Sequence, residues 1–457
     1  MSRIFWIAAF LAFFVATQST PLFAQCDLCG AGNSCWMCEP SSACDSLGAC
    51  DSQRGDCDAC GCASCKSCLG GEHLLGDWGG LRSRLAQRGV VTDIRATQFY
   101  QGVSSGGNNE RFRYGGKVDY NFAFLGEPLG LNKGFTLLMH AETRFGQDSI
   151  LDAVGLAPSN ANMLMPTLEN ETAITGFQVL QALNEDWAVT FGKINVLDLF
   201  NTIFPQTGRG IDRFMNASSF FPLTVATTVP LSFNGAGVLK MNEGRIQGGL
   251  LVLDSNNIPT TSGLSQLFDN GANIAGLWRF FTNFGGQPGS HLFLGTYGTG
   301  TFNSLDPNGW AFVPGEGLVA PNATGSWSAT YFLEQQLWAD HCDADRNIGL
   351  FSQWGLADKE TSPYQWCMNI SLDAMGLVRG RPQDRMGAAY FYSGLSSDLK
   401  TLAAPLIPLD DVQGAELYYN AAITPWCYLT TDLQIVEPAN ERNDTATVLG
   451  MRLSIDL

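Results

Sequence analysis

From about residue 92 to the end, apolar and polar positions alternate with a period of two in a series of short segments. Successive side chains of an extended strand point to opposite faces, so each segment predicts a strand with one apolar and one polar side. Between Arg111 and Phe124, Phe112, Tyr114, Val118, Tyr120, Phe122 and Phe124 share one face, and Arg111, Arg113, Lys117, Asp119 and Asn121 share the other. After a Gly/Pro-rich turn at 126–134, Phe135, Leu137, Met139, Ala141 and Phe145 oppose Thr136, His140, Glu142 and Arg144. The pattern returns with Trp327, Ala329, Tyr331 and Leu333 against Ser326, Ser328, Thr330 and Glu334. It returns again with Met368, Ile370, Leu372 and Ala374 against Asn369, Ser371 and Asp373, and with Ala415, Leu417 and Ala421 against Glu416, Tyr418 and Asn420. The last segment sets Leu449, Met451, Leu453, Ile455 and Leu457 against Arg452, Ser454 and Asp456.

A soluble sandwich also alternates, so segment length decides. Strands that cross a bilayer need ~9–11 residues, whereas soluble strands average about 5–6. Several segments here alternate for ten or more residues and carry aromatics near their ends, as at Phe122, Phe124, Phe145 and Trp338. Turn-forming clusters separate them at 104–109, 184–186, 254–257, 285–289 and 437–444. The 366 residues from Thr92 to Leu457, shared among ~16 strands, leave about 23 for each strand and its connection. The expected fold is therefore all-β: a transmembrane antiparallel β-barrel of about 16 strands, a number that leaves an aqueous channel. No repeat of 20–50 residues argues for a propeller or solenoid. A short helix is predicted over 75–89, with Leu81 and Leu85 one turn apart and Gly89 as its stop, on the periplasmic side before the first strand. The apolar last strand, ending on Leu457, is the kind of terminus that barrel assembly machinery would read.

The first 72 residues have a different character. Arg3 followed by an unbroken apolar run from Ile4 to Val15, and Ala24 as a small residue, predict a cleavable signal peptide over 1–24. Twelve apolar residues are too few to span a bilayer of about 30 Å. No later stretch reaches the ~18 needed for a spanning helix, which leaves a closed barrel as the way to cross a membrane. Residues 25–72 form a Cys-rich segment holding 11 of the 14 cysteines. Its C-x-x-C pairs are Cys26 with Cys29, Cys35 with Cys38, Cys57 with Cys60, Cys62 with Cys65, and Cys65 with Cys68. With almost no core-forming side chains, the segment needs staples. Disulfides fit an exported chain best, and tetrahedral metal binding is the alternative. The barrel is then expected over 73–457.

Composition narrows the function. Charged residues make up only 15% of the chain, against about 25% in soluble domains. The net charge of −17 disfavours nucleic acid as a partner. Four histidines without an H-E-x-x-H or G-x-S-x-G context give no enzyme signature. No pattern specifies a cofactor or an oligomeric state.

Five stretches occur in an order that resembles the OprB-type carbohydrate-selective porins. They are GDWGGLRSRL at 76–85 with AQRG at 86–89, TFGKIN at 190–195, GLFSQW at 349–354, GLVRGRPQDRMG at 376–387, and ELYY, TPW, DLQI and GMRL from 416 to 453. The resemblance covers roughly 74–457. It implies a 16-stranded barrel in the outer membrane of a diderm bacterium, reached after signal-peptide export, passing monosaccharides by facilitated diffusion. The chain departs from the family in its Cys-rich segment, in ending on Leu457 rather than Phe, and in a weak match over about 205–325.

A pore for sugars should offer hydrogen-bonding groups and aromatic faces at a narrow point. Parity makes Arg111, Arg113, Lys117, Asp119, Glu142, Arg144, Glu334 and Glu416 the pore-lining candidates. For each, the alternative is a solvated wall residue without a selective role. Glu142 and Arg144 share a face and are spaced to pair. The mixture of signs suits small neutral sugars as permeants, with outer-membrane lipid outside. A general or ion-preferring porin with the same barrel, and a secreted disulfide-rich sugar-binding protein or adhesin, are the alternatives.

Overall fold

The structure, a computed structural model, describes residues 71–457 apart from 167–170, 316 and 342. The expected signal segment lies outside the described residues. So do the cysteines expected to form disulfides or hold a metal, namely Cys26, Cys29, Cys35, Cys38, Cys57, Cys60, Cys62, Cys65 and Cys68. The strands are β1 (Val90–Ser105), β2 (Phe112–Leu125), β3 (Phe135–Gly146), β4 (Thr172–Ala182), β5 (Trp187–Asn195) and β6 (Ser232–Asn242). They continue as β7 (Arg245–Asp254), β8 (Ala272–Phe284), β9 (Gln287–Asn303), β10 (Ala311–Val313), β11 (Gly317–Val319) and β12 (Asn322–Ala339). The last are β13 (Asn347–Ala357), β14 (Tyr364–Met375), β15 (Arg385–Leu395), β16 (Val412–Thr424), β17 (Cys427–Glu437) and β18 (Ala446–Asp456).

Each barrel strand pairs antiparallel with its neighbours in sequence, and β18 returns to β1 to close a barrel of 16 strands. β10 and β11 form a separate hairpin in the connection between β9 and β12, which pair directly. Closure removes the unpaired edges that hydrocarbon cannot hydrate. Among the described residues no helix is long and apolar enough to cross a membrane, so crossing falls to the strands.

The alternation has the predicted sense. On the outside, Tyr100, Phe191, Leu250, Phe293, Trp327 and Leu417 are 44–59% exposed, whereas inward-facing Thr190, Ser328 and Glu416 are 3% exposed or less. The connections are lopsided. At one end β6–β7, β8–β9 and β16–β17 turn through the two-residue links 243–244, 285–286 and 425–426. At the other end lie the long connections 147–171, 196–231, 255–271 and 304–321. Short turns mark the periplasmic end of outer-membrane barrels.

The short-turn end also carries the predicted helix, α1 (Leu81–Gln87). The Asp77 carboxylate accepts from Ser83 N and Ser83 Oγ, both at 2.8 Å, which fixes its first turn. Gly89 stops it at φ +86°, where a Cβ would stand 2.7 Å from the Leu125 carbonyl oxygen. Leu74 N donates to the Asp456 carbonyl at 2.8 Å, tying this segment to the end of β18.

Candidate functional site

The lumen is not an open tube. After β5 the chain turns inward as α2 (Val196–Ile203), and residues 196–231 run through the barrel before β6. Asn195 starts the helix: its side-chain oxygen accepts from Leu197 N at 3.0 Å and Asp198 N at 3.4 Å. Val196, Leu197, Phe200 and Ile203 recur on one face and are all buried. Phe200 packs 5.2 Å from Phe221 and 5.9 Å from Phe332 between ring centroids, and Phe204 lies 4.6 Å from Phe332. The receiving wall is apolar: Phe233, Leu251, Leu277, Leu292 and Phe332 point inward from β6, β7, β8, β9 and β12. Burying each phenylalanine contributes about 1.5–3 kcal/mol.

The next part of the segment, 210–219, is irregular, and its backbone groups need partners inside the barrel. Polar wall residues supply them. Glu416 accepts from Met215 N (2.5 Å), Asn216 N (3.2 Å) and Ser219 Oγ (2.5 Å). Arg452 donates to the carbonyls of Gly210 (2.8 Å) and Arg213 (2.9 Å), and Asn420 Nδ2 to that of Asp212 (2.7 Å). Asn369 and Ser371 both donate to the Ser219 carbonyl. The connection 147–166 also folds in. Ser159 O accepts from Gln101 and Gln434, and Ala161 N donates to Met215 O at 2.8 Å, joining the two infolded segments.

A third anchor is charged. His140 Nδ1 is 2.6 Å from Asp198 on α2, and His140 Nε2 is 3.0 Å from Asp119. Both ring nitrogens thus meet a carboxylate, and His140 ties α2 to β2. Lys117 Nζ lies 2.6 Å from Glu142 and 3.3 Å from Asp119. Asp119, His140 and Glu142 offer possible metal-ligand atoms within 4.8 Å of one another. The Lys117 ammonium already bridges both carboxylates, so the group is built as an ion-pair cluster.

Between the infolded segment and the wall remains a cavity of about 400 Å³. It lies in the short-turn half, because Arg245, Asn347 and Arg385 on its border each begin a strand after a short connection. Glu334 accepts from Ser290 Oγ (2.6 Å) and Arg245 (3.2 Å), with Arg279 Nη2 at 3.7 Å. Asp373 lies 2.5 Å from Arg385 and 3.6 Å from Arg213, and Tyr418 OH donates to it. Phe214, Phe220 and Phe351 add ring surface.

Of the eight residues singled out by parity, Glu334 alone borders this cavity. Lys117, Asp119 and Glu142 are buried in the cluster beside α2, and Glu416 is buried beneath residues 215–219. Arg113 reaches Asp152 and Gln147 of the infolded connection, and Arg111 is exposed at the long-loop end, one residue before β2. Glu142 pairs with Lys117 and Arg144 with Asp148, so the pairing expected between Glu142 and Arg144 is replaced. For the candidates that lie on strands, parity gives the side of the wall, but it carries no information on what the lumen contains. Asp373 stood on the polar face of its segment. Arg385 ends the GLVRGRPQDR stretch, and Arg245 follows the Glu243-Gly244 turn. Those signals existed, whereas Arg213 lies in an irregular segment that offers none.

A closed 16-stranded barrel with an apolar outer belt, short turns at one end and a lumen narrowed by infolded chain is an outer-membrane porin. The sequence matches the OprB family of carbohydrate-selective porins over residues 93–457. The chain belongs to that family and is a sugar-transporting porin of the outer membrane. The high-pH structure of Pseudomonas putida OprB is similar at 18% identity and a TM-score of 0.72, covering 85% of this chain and 99% of that one. The low-pH structure of the same protein is similar at 15% identity and a TM-score of 0.52, covering 84% and 98%. None of the curated proteins matches the chain significantly.

Proposed function

We propose that the chain passes neutral monosaccharides by facilitated diffusion, without catalysis. The cavity of about 400 Å³ beside the infolded segment is the observation that supports this most directly. Its border combines guanidinium, carboxylate and hydroxyl groups with phenylalanine rings, which answers the hydroxyl rim and apolar faces of a pyranose. The volume is near the small end of ligand sites, about 300–1,000 Å³, and favours single sugar units over longer chains. Among the parity candidates, Glu334 contacts the permeant. Arg113, Lys117, Asp119, Glu142, Arg144 and Glu416 act one step back, by holding the infolded segments that shape the passage, and Arg111 acts at the outer mouth. The exposed apolar belt meets outer-membrane lipid, and β18 is the strand offered to assembly machinery. Residues 1–24 act as signal peptide and 25–72 as a stapled segment ahead of the barrel at 73–457.

The test is uptake into liposomes carrying the refolded protein. Glucose should enter faster than a trisaccharide and faster than a non-sugar ion of its own size. Entry ordered by size alone would replace this reading with a general porin.

A further inference from the structure

The long connections do not all fold into the lumen. Residues 255–271, between β7 and β8, lie against the outside of the wall. Ile194 on β5 and Phe233 on β6 pair with each other and point inward, into the apolar bed of α2. Their neighbours Lys193 and Asn234 pair in the same register and so point outward. Phe177, the partner of Lys193 on β4, is 46% exposed on that outer face. Lys193 and Asn234 are nonetheless 8% exposed, because the connection covers them. Lys193 Nζ donates to the carbonyls of Thr261 (2.7 Å) and Pro259 (3.4 Å), and to that of Ile174 on β4 (2.6 Å). Those three bonds use every donor of the ammonium. Asn234 Nδ2 donates to the Ser262 carbonyl at 2.9 Å, and Ile258 N to that of Ser232 at 2.8 Å.

We infer that residues 255–271 form a flap clasped by Lys193 and seated in the membrane, with the acyl chains of the outer leaflet as its partner. Leu264, Leu267 and Phe268 of the flap are 40–68% exposed. They stand on a segment fastened to the lipid side of the wall. The apolar belt reaches this segment without a break. Phe177 and Phe191 adjoin Lys193, Val252 and Ile274 stand near the outer ends of β7 and β8, and all four are 41–53% exposed. The flap therefore continues an interface that hydrocarbon already covers. β5 has nine residues, the lower limit for a crossing strand of about 9–11, and the flap adds apolar surface where that strand runs out. The charges suit this depth. Asp269 is the one charged residue between 255 and 271. The Lys193 ammonium is matched by backbone carbonyls, the kind of partner an ionised group needs beside lipid.

The test is labelling from within the bilayer. The full refolded chain is placed in phosphatidylcholine nanodiscs that include a phosphatidylcholine with a diazirine in one acyl chain. Light releases dinitrogen and leaves a carbene, which inserts into whatever touches the acyl chain, and mass spectrometry locates the adduct. Peptides spanning Leu264 to Phe268 should be labelled as strongly as the belt at Phe293, and several-fold more than the polar connection 106–111. Lys193→Met keeps the stem and removes the donors. It should cut labelling of the flap several-fold while belt labelling holds, which also reports that the barrel is inserted. Leu267→Asp leaves the clasp in place and should have the same effect, so the test stands even if Lys193→Met does not insert. An unlabelled flap beside a labelled belt would overturn the inference and leave a second copy of the chain as the occupant of that surface. Flap labelling that persists unchanged in both variants would overturn it as well.

Discussion

The same infolded segment is held by two unlike parts of the barrel wall. Its first stretch, α2 with Phe204, rests on Phe233, Leu251, Leu277, Leu292 and Phe332. Its second, residues 210–219, hangs from Glu416, Asn420, Asn369, Ser371 and Arg452. A helix satisfies its own backbone and asks the wall only for apolar area, so it can be received by any well-packed hydrophobic surface. An irregular stretch brings unpaired N–H and C=O groups into a confined space, and each needs a partner at a defined point. The first kind of contact gives adhesion. The second gives position, and position is what sets the outline of the cavity.

The largest effect should come from breaking the apolar side. Phe200→Ala removes a ring in contact with four others and should cost about 3–5 kcal/mol. The unfolding transition of the purified barrel would report this, together with raised open-channel conductance as the segment loosens. On the polar side, Glu416→Gln replaces an acceptor of several hydrogen bonds with one that accepts at a single oxygen. A loss of about 1–3 kcal/mol is expected, with noisier single-channel currents and little change in mean conductance. A conductance rise as large as that of Phe200→Ala would break the distinction between adhesion and position.

Asp198→Asn tests the charged anchor. It removes the carboxylate that meets His140 and lies in the first turn of α2, and about 0.3–1 kcal/mol is expected from the helix end alone. A shift of that size in the unfolding midpoint would measure it. The smallest effect should be at the outer mouth. The hydrogen bond from Arg113 holds the Asp152 carboxyl below its ordinary value of 3.8. A lowered carboxylate value contributes stability above the unfolded value, which is lost as pH falls through the folded one. Seating of the 147–166 connection should therefore be constant at neutral pH and loosen only below about pH 4. Protease accessibility of that connection against pH would show it, and Asp152→Asn should abolish the dependence.

Much of the architecture was readable along the chain. Strand faces and the helix ending at Gly89 follow from period-two alternation and local turn chemistry, while the family signatures rest on the resemblance of five ordered stretches, which also implies the strand number. The contents of the lumen were less readable. Parity set Glu334 beside Ser328 and Thr330, yet Phe332 occupies the same face between them. A phenylalanine on the polar side of a membrane strand is a local sign that something apolar rests against it, as are Phe233, Leu251, Leu277 and Leu292 on the inward faces of β6 to β9. Glu416 and Lys117 showed the opposite: both were charged on the inward face, and both proved to serve buried chain rather than open water.

By itself, the sequence determined that the chain forms a membrane barrel, because alternation is a property of each strand and closure follows from hydrocarbon tolerating no free edge. Only the tertiary structure decided where the cavity beside the infolded segment lies and which charges border it. Arg213, Arg245, Glu334, Asp373 and Arg385 come from widely separated stretches. They become neighbours only when the barrel closes and residues 196–231 fold into it, so their common chemistry is not written in any local pattern.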